Sequence, residues 1–217
     1  EARAALLTQS AVQAACQLSN AHLGLGPDDR WLCCLPRHHI GGLSIGWRCA
    51  IAGAAVVVQA GFDAAAVHAA LVRHRVTHVS LVPPMLARLL ALRAPAPPTL
   101  RVVLVGGQAL HGALAEQALT AGWPLRVTHG MTETCSHIAL QRLNGLRPDN
   151  AFKLLPGFSI SVNQKACLLI DAPEFYDETI ETSDIVEIIS EKEFRWLGRA
   201  DNIINSGGIK IVPEPLE

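Results

Sequence analysis

The segment His129-Gly130-Met131-Thr132-Glu133-Thr134 has residue types suited to phosphate and metal chemistry. The hydroxyl group of Thr132 can donate a hydrogen bond to a phosphate. The carboxylate of Glu133 is the kind of hard oxygen ligand that Mg²⁺ prefers. An ordinary polar turn explains the same residues equally well, so this segment alone leaves both interpretations open.

A second set of polar residues lies nearer the C-terminus. Asp184, in Thr182-Ser183-Asp184, can accept hydrogen bonds from two vicinal hydroxyl groups, as acidic residues do with a ribose. Arg199 offers a planar fork of donors to a phosphate or to hydroxyl groups. A capped strand end and a surface salt bridge are the respective alternatives. His38 and His39 precede a glycine pair, where either a catalytic or a structural role fits.

The composition limits the classes of function. The 217 residues carry a net charge of -1, half of them are apolar, and the mean hydropathy is +0.27. Disordered segments are more polar than this, and a nucleic-acid binder would carry a strong positive field. No apolar run approaches the roughly 20 residues of a membrane helix. We therefore expect a folded domain with no nucleic-acid partner and no membrane span.

The cysteines indicate a reducing compartment. The chain contains six cysteines without a CxxC pair, and its histidines show no zinc-like spacing. We expect buried free thiols and a cytoplasmic location.

Apolar strand-like runs alternate with helical ones over the first 150 residues. We predict strands near residues 31–35, 54–58, 77–82, 101–105 and 125–128, the second of them buried, with helices between them. This order predicts an α/β fold, a mostly parallel flavodoxin-like sheet with flanking helices. Ligands bind beyond the carboxyl ends of such strands, which directs attention to Gly106-Gly107 and to the segment after Thr128.

The amino-acid composition changes near residues 146–150. The first 150 residues contain 12 Arg, no Lys and 7 acidic residues, whereas residues 151–217 contain 4 Lys, 2 Arg and 12 acidic residues. The later part is rich in Ile, Thr and Glu, which is typical of strands. We predict an α/β part over residues 1–150, a β-rich subdomain over 151–198, and a hinge with the start of a small domain over 199–217.

Six motifs occur along the chain in the following order: PRHHIGGLS, LVPPML, VLVGGQAL, HGMTET, TSDIVEI and LGRADNIINSGG. In this order they resemble the acyl-adenylate-forming (AMP-binding) ligase superfamily, over essentially the whole chain. Within this superfamily, the local sequence most closely resembles the branch that couples o-succinylbenzoate to CoA in menaquinone biosynthesis. The resemblance implies an ATP-dependent acid–CoA ligase that uses Mg²⁺, ATP and CoA on a small carboxylic acid. A ligase for another aryl or fatty acid is the alternative, and a homo-oligomer stays open.

The resemblance also implies roles for individual residues. Thr132 would contact phosphate, Glu133 would hold Mg²⁺, and Asp184 would bind the ribose hydroxyls beside Arg199. His39 would lie near the acyl and CoA entrance, and Asp201 would be the hinge. The remaining nucleotide-binding positions would be Gly106, Gly107, Gln108, His129, Gly130 and Met131. His129 stands where the family usually has Tyr, so an aromatic ring that could stack on adenine is kept.

Both ends of the sequence depart from the family pattern. It opens with Glu1-Ala2-Arg3, where the resemblance implies the end of a phosphate loop, and it stops before the family's adenylation Lys. We therefore expect a fragment of an enzyme with little activity of its own, and a non-catalytic nucleotide-binding module remains a rival interpretation. Arg142 and Lys210 are candidates to pair with a second substrate carboxylate, or solvated surface charges.

Overall fold

A computed structural model describes residues 5–144, 147–173, 175–176, 178–202, 204–206 and 209–211. The expected end of a phosphate loop at Glu1-Ala2-Arg3 and the glycine pair Gly207-Gly208 lie outside these residues. The side chains of Arg142 and Lys210 also lie outside the described part of the chain.

The first half of the chain is a parallel sheet with helices on both faces. Its strands run in the order β2-β1-β3-β4-β5, which is the flavodoxin-like order. This confirms the predicted fold class. The strands are β1 (Arg30–Cys33), β2 (Ala55–Val58), β3 (His78–Leu81), β4 (Val102–Val105) and β5 (Leu125–Met131). The helices are α1 (Gln9–Leu23), α2 (Ile40–Ala52), α3 (Ala64–Arg73), α4 (Pro83–Ala91) and α5 (Gly112–Thr120).

Local sequence signals fix the ends of several helices. The Thr8 side chain accepts a hydrogen bond from the backbone N–H of Ala11, and Asp63 caps α3 through Ala66 in the same way. Helix α4 begins at Pro83, where a missing N–H costs nothing because first-turn amides have no helical partner.

Alternate residues of β1, together with the residue that follows it, divide the core between the two faces of the sheet. Trp31 and Cys33 pack with the apolar side chains of α1 and α2, whereas Leu32 and Cys34 pack with those of α3, α4 and α5. A strand covered on both faces needs such a continuous apolar run. Packing on both faces thus fixes the position of the parallel strands, and their carboxyl ends lie at the same edge of the sheet.

The second half of the sheet is antiparallel. It continues from β5 in the order β6-β7-β11-β10-β9-β8, so the described chain forms an 11-stranded mixed sheet. The boundary that we place near residue 150 stays a prediction. The additional strands are β6 (Ser136–Asn144), β7 (Arg147–Leu154), β8 (Ser159–Val162), β9 (Cys167–Asp171), β10 (Ile180–Ser190) and β11 (Glu193–Arg199). A 3₁₀ turn (Ala200–Asn202) and the separate hairpin β12 (Ile204–Ser206) with β13 (Ile209–Ile211) follow.

Strand β2 corrects one expectation. We expected a buried strand there, but β2 is the edge of the sheet, and Val56 and Val58 are exposed. A short apolar run does not reveal whether a strand lies at the centre or at the edge. The six cysteines are buried and free, as predicted. Among the described residues, no helix combines the length and apolarity that crossing a membrane requires.

Candidate active site

A cavity of about 470 Å³ opens at the carboxyl ends of the parallel strands. Segments that follow β1, β3, β4 and β5 line it, together with the first turns of α2. This is where ligands bind in a sheet of this order, because the neighbouring β1 and β3 send their connections to opposite faces. Of the residues selected from the sequence, six line the cavity: His39, Gly106, Gly107, Gly130, Met131 and Thr132.

The turn after β5 presents Thr132 and Glu133 to solvent, and the buried Thr134 holds its two ends together. Thr134 Oγ1 accepts a hydrogen bond from the Met131 N–H at 3.1 Å and lies 2.6 Å from the Ser136 carbonyl oxygen. The Cys135 N–H donates to the Thr132 carbonyl oxygen at 2.9 Å. The local hydrogen bonds therefore fix the direction in which the two exposed side chains project.

Two glycines allow close approach at the cavity wall. A Cβ atom at Gly130 would overlap the backbone of Ser136 and His137 on the adjacent strand. Gly107 has φ +80°, a conformation that other residues rarely adopt. The backbone at Gly107 and at Gly130 therefore depends on the absence of a side chain.

Arg48 is a site residue that the sequence analysis missed. Its guanidinium is buried, lines the cavity, and donates from Nη2 to the Ser136 hydroxyl group. Its Cζ atom lies 5.4 Å from the centre of the Trp31 ring. Among the described residues no carboxylate forms an ion pair with it, and its buried Nε has no hydrogen-bond partner. The signal was the unusual position of an arginine within the apolar run of α2.

His137 lies beside this guanidinium and is neutral near pH 7. Burial lowers its pKa well below the usual value, and the positive charge of Arg48 acts in the same direction. Nδ1 of His137 lies 3.3 Å from Nη2 of Arg48 and 3.2 Å from the Ser136 hydroxyl group. A neutral ring can accept a hydrogen bond at this nitrogen, so the cavity wall carries one positive charge rather than two.

A second cluster joins the two halves of the sheet. Nε2 of His129 lies 3.5 Å from Oδ2 of Asp184, and Trp196 Nε1 donates to Oδ1 at 3.1 Å. Nη1 of Arg199 lies 3.6 Å from the same oxygen, and Nη2 donates to Asp201 at 2.8 Å. Four of the predicted residues therefore form one row of neighbouring polar side chains: His129, Asp184, Arg199 and Asp201.

The other predicted residues stand at the surface near these clusters. His39 precedes α2 with an exposed side chain, and Gln108 is exposed after Gly107. Glu133 is exposed as well. In the described part of the chain, no three His, Cys, Asp or Glu side chains converge as a metal cage. A single exposed carboxylate fits a Mg²⁺ that takes its other ligands from phosphate oxygens and water.

The sheet order, the cavity at its switch point and the Thr132-Glu133 turn agree with the superfamily that the motifs resemble. A family model described as AMP-binding enzyme carries the assignment itself. The family model with that description matches residues 3–173, and the chain belongs to this family. The superfamily indicated by the sequence is thereby confirmed.

Several individual members of this family are similar to the chain. The chain is 42% identical to the 2-succinylbenzoate–CoA ligase of Bacillus pumilus over 225 residues, which is 92% of this chain and 46% of that protein. O-succinylbenzoate coenzyme A synthetase from Bacillus subtilis in complex with AMP matches with a TM-score of 0.88 and 28% identity, over 98% of this chain and 50% of that one. The same enzyme in complex with ATP and magnesium ion matches at 0.84 and 27%, over 96% and 49%. The chain thus spans about half the length of these relatives.

Proposed function

We propose that the protein to which this chain belongs is an ATP-dependent acid–CoA ligase acting on o-succinylbenzoate. The named relatives support the reaction class, and one observation on this chain supports the substrate: the buried guanidinium of Arg48 on the cavity wall. A buried charge without a counter-charge is costly. An anionic group of the substrate would remove that cost.

The substrate chemistry matches this charge. O-succinylbenzoate is a benzoate that carries a succinyl group, so it has two carboxylates. Activation converts one of them, and the other stays ionised. Arg48 would hold the second carboxylate, assisted by the Ser136 hydroxyl group to which it already donates. A fatty acid has no second carboxylate, and its apolar chain would leave Arg48 without a counter-charge.

The proposed reaction has two steps. A carboxylate oxygen attacks the α-phosphorus of ATP, pyrophosphate leaves, and an acyl-AMP forms. The thiolate of CoA then attacks the acyl carbon and AMP leaves. In the first step Thr132 would donate to a phosphate oxygen and Asp184 would accept from the ribose hydroxyls beside Arg199. Glu133 would hold Mg²⁺, which neutralises phosphate charge when bound.

The remaining residues would border the ligands. Gly106, Gly107 and Gln108 would border the adenine, and His39 would stand near the entrance for the acyl group and CoA. Asp201 would be the hinge for a following domain. A cytoplasmic location agrees with six free thiols.

Equilibrium dialysis of the chain with three acids, in the presence of AMP, tests the substrate. We expect o-succinylbenzoate to bind at least about tenfold more tightly than benzoylpropionate, which lacks the ring carboxylate, since a hydrogen bond to a charged group contributes about 1.5 to 3 kcal/mol. A medium-chain fatty acid should bind more weakly still. Equal binding of o-succinylbenzoate and benzoylpropionate would remove the second carboxylate from the argument, and tighter binding of the fatty acid would indicate a different ligase.

A further inference from the structure

His129 and Asp184 meet although three strands separate them in the sheet. His129 is on β5 and Asp184 is on β10, with β6, β7 and β11 between them. Four strand spacings in a flat sheet amount to about 19 Å, yet Nε2 of His129 lies 3.5 Å from Oδ2 of Asp184. The antiparallel half therefore bends back over β5. The bend brings a carboxylate of one half to an imidazole of the other.

Paired aromatic rings fill the inside of this bend. Phe152 of β7 and Phe194 of β11 are partners in the sheet register and stack at 5.5 Å. Both rings meet His129 edge to face, at centroid distances of 5.6 and 5.2 Å. The His129 side chain is 12% exposed. Little of its ring surface is free to stack on a nucleotide base.

The hydrogen-bonding capacity of Asp184 indicates what His129 does instead. An ionised carboxylate can accept about four hydrogen bonds. Trp196 donates to Oδ1 at 3.1 Å, and His129 Nε2 faces Oδ2. These two groups lie on β11 and β5, so they approach the carboxylate from two sides. Nη1 of Arg199 also lies 3.6 Å from Oδ1, beyond hydrogen-bond length, so capacity remains for the two hydroxyl groups of a ribose.

His129 is suited to donate one hydrogen bond to Asp184 as a neutral imidazole, without adding a positive charge beside the carboxylate. Burial lowers its pKa, the charge of Asp184 opposes this, and the charge of Arg199 adds to it. Near pH 7 the neutral ring has one N–H. The 3.5 Å separation slightly exceeds an ordinary hydrogen-bond length, so a small ring movement would close the bond.

We propose that His129 is a positioning residue that fixes the carboxylate of Asp184 for the vicinal hydroxyl groups of a nucleotide, and that it does not act by stacking on the base. The inference rests on the proposed nucleotide-binding function. It assigns to the His129 ring a task that depends on its nitrogen rather than on its aromatic faces.

Calorimetric titration with AMP and with 2′,3′-dideoxy-AMP separates these two tasks. The wild-type chain should bind AMP at least about tenfold more tightly than the dideoxy compound. His129→Phe removes the donor but keeps an aromatic ring. It should weaken AMP binding and bring the ratio of the two affinities close to one, while the affinity for dideoxy-AMP stays unchanged. His129→Gln keeps an N–H donor and should retain most of the ratio. Asp184→Asn should match His129→Phe, and the exposed His74→Phe is the control.

Other outcomes would overturn the proposal. Equal weakening of AMP and dideoxy-AMP in His129→Gln, with an unchanged ratio, would show stacking on the base. An unaltered ratio in His129→Phe would show that the imidazole does not act through Asp184. If the Phe variant does not fold, His129→Met removes both the donor and the ring. The proposal still expects a ratio close to one with unchanged affinity for dideoxy-AMP, whereas loss of stacking would weaken the binding of both ligands. Failure of the wild-type chain to bind AMP at all would instead contradict the proposed function on which this inference rests.

Discussion

Nη2 of Arg48 lies 3.3 Å from Nδ1 of His137, and both side chains are buried in the wall of the cavity. Burial lowers the pKa of Arg48 to about 10 and that of His137 well below its usual value. At neutral pH the arginine is therefore still a cation and the histidine is neutral. The pair presents one fixed positive charge to the cavity.

Replacing this charge should affect ligand binding more than folding. Arg48→Met keeps an apolar stem of similar length and removes a charge whose burial costs free energy. We expect urea denaturation to change little. Affinity for an o-succinylbenzoyl-AMP analogue should fall about 10- to 100-fold, in line with the loss of hydrogen bonds to a charged group. Arg88→Met, on the exposed face of α4, is the matched control. An undiminished affinity in Arg48→Met would show that the guanidinium does not contact the ligand.

The two threonines around Glu133 should separate stability from binding. Thr134 is buried and accepts from the Met131 N–H, so Thr134→Val leaves a buried donor without its partner. Its unfolding free energy should fall by about 1 to 3 kcal/mol. Thr132 is exposed, and Thr132→Val should leave the unfolding free energy nearly unchanged while weakening ATP binding. Equal stability losses in the two variants would contradict this division.

Glycine replacements test the close approach of β5 to β6. Gly130→Ala places a Cβ atom against the backbone of Ser136 and His137, which cannot move without disturbing the strand pair. We expect a clear loss of stability and of AMP binding. Gly46 is exposed within α2 and its Cβ position is free of neighbours. Gly46→Ala should therefore stabilise the chain by up to about 1 kcal/mol. A well-folded Gly130→Ala variant with normal AMP binding would refute the steric argument.

Acid should destabilise the chain before its carboxylates titrate. Burial lowers the pKa values of His78, His129 and His137. Below the unfolded value of about 6.5 the unfolded chain therefore binds more protons than the folded one. Each histidine then removes up to about 1.4 kcal/mol per pH unit until its folded pKa is reached. Urea denaturation at pH 7.5, 6.5 and 5.5 measures the slope. His137→Gln should flatten it, whereas the exposed His74→Gln should not.

A carboxylate contributes at lower pH. Burial alone would raise the pKa of Asp29, but hydrogen bonds from Gly26 and Thr77 and the charges of His78 and Arg101 outweigh it, so the pKa is lowered. The stabilisation is present above the unfolded pKa of about 3.9 and is lost as the pH falls through the lower folded value. A stability that does not fall below pH 4 would contradict this assignment.

The parallel half of the fold could be predicted because its signals are local. Thr8 and Asp63 cap helices as their residue types favour, and the apolar runs alternate with helical ones at regular spacing. The exposed position of β2 could not be predicted in this way, because an apolar run of four residues is the same at the edge of a sheet as at its centre. Strand order depends on contacts between distant segments, which spacing along the chain does not show.

The site residues show the same difference between local signals, which the sequence reveals, and contacts between distant segments, which it does not. Gly106, Gly107 and Thr132 were found because they belong to motifs that follow strands, where ligands bind in this fold. Arg48 was missed because it stands in the middle of a helix and reaches Ser136 only through the packing of α2 against β6. The contact of His129 with Asp184 likewise depends on the bend of the antiparallel half.

Calorimetric titration of the wild-type chain with a non-hydrolysable o-succinylbenzoyl-AMP analogue tests the central claim most directly. AMP alone and a fatty acyl-AMP analogue are the two comparison ligands. We predict that the o-succinylbenzoyl analogue binds most tightly, because it combines the nucleotide contacts with the charge of Arg48. Equal affinities for all three ligands, or tighter binding of the fatty acyl analogue, would contradict the assignment of o-succinylbenzoate.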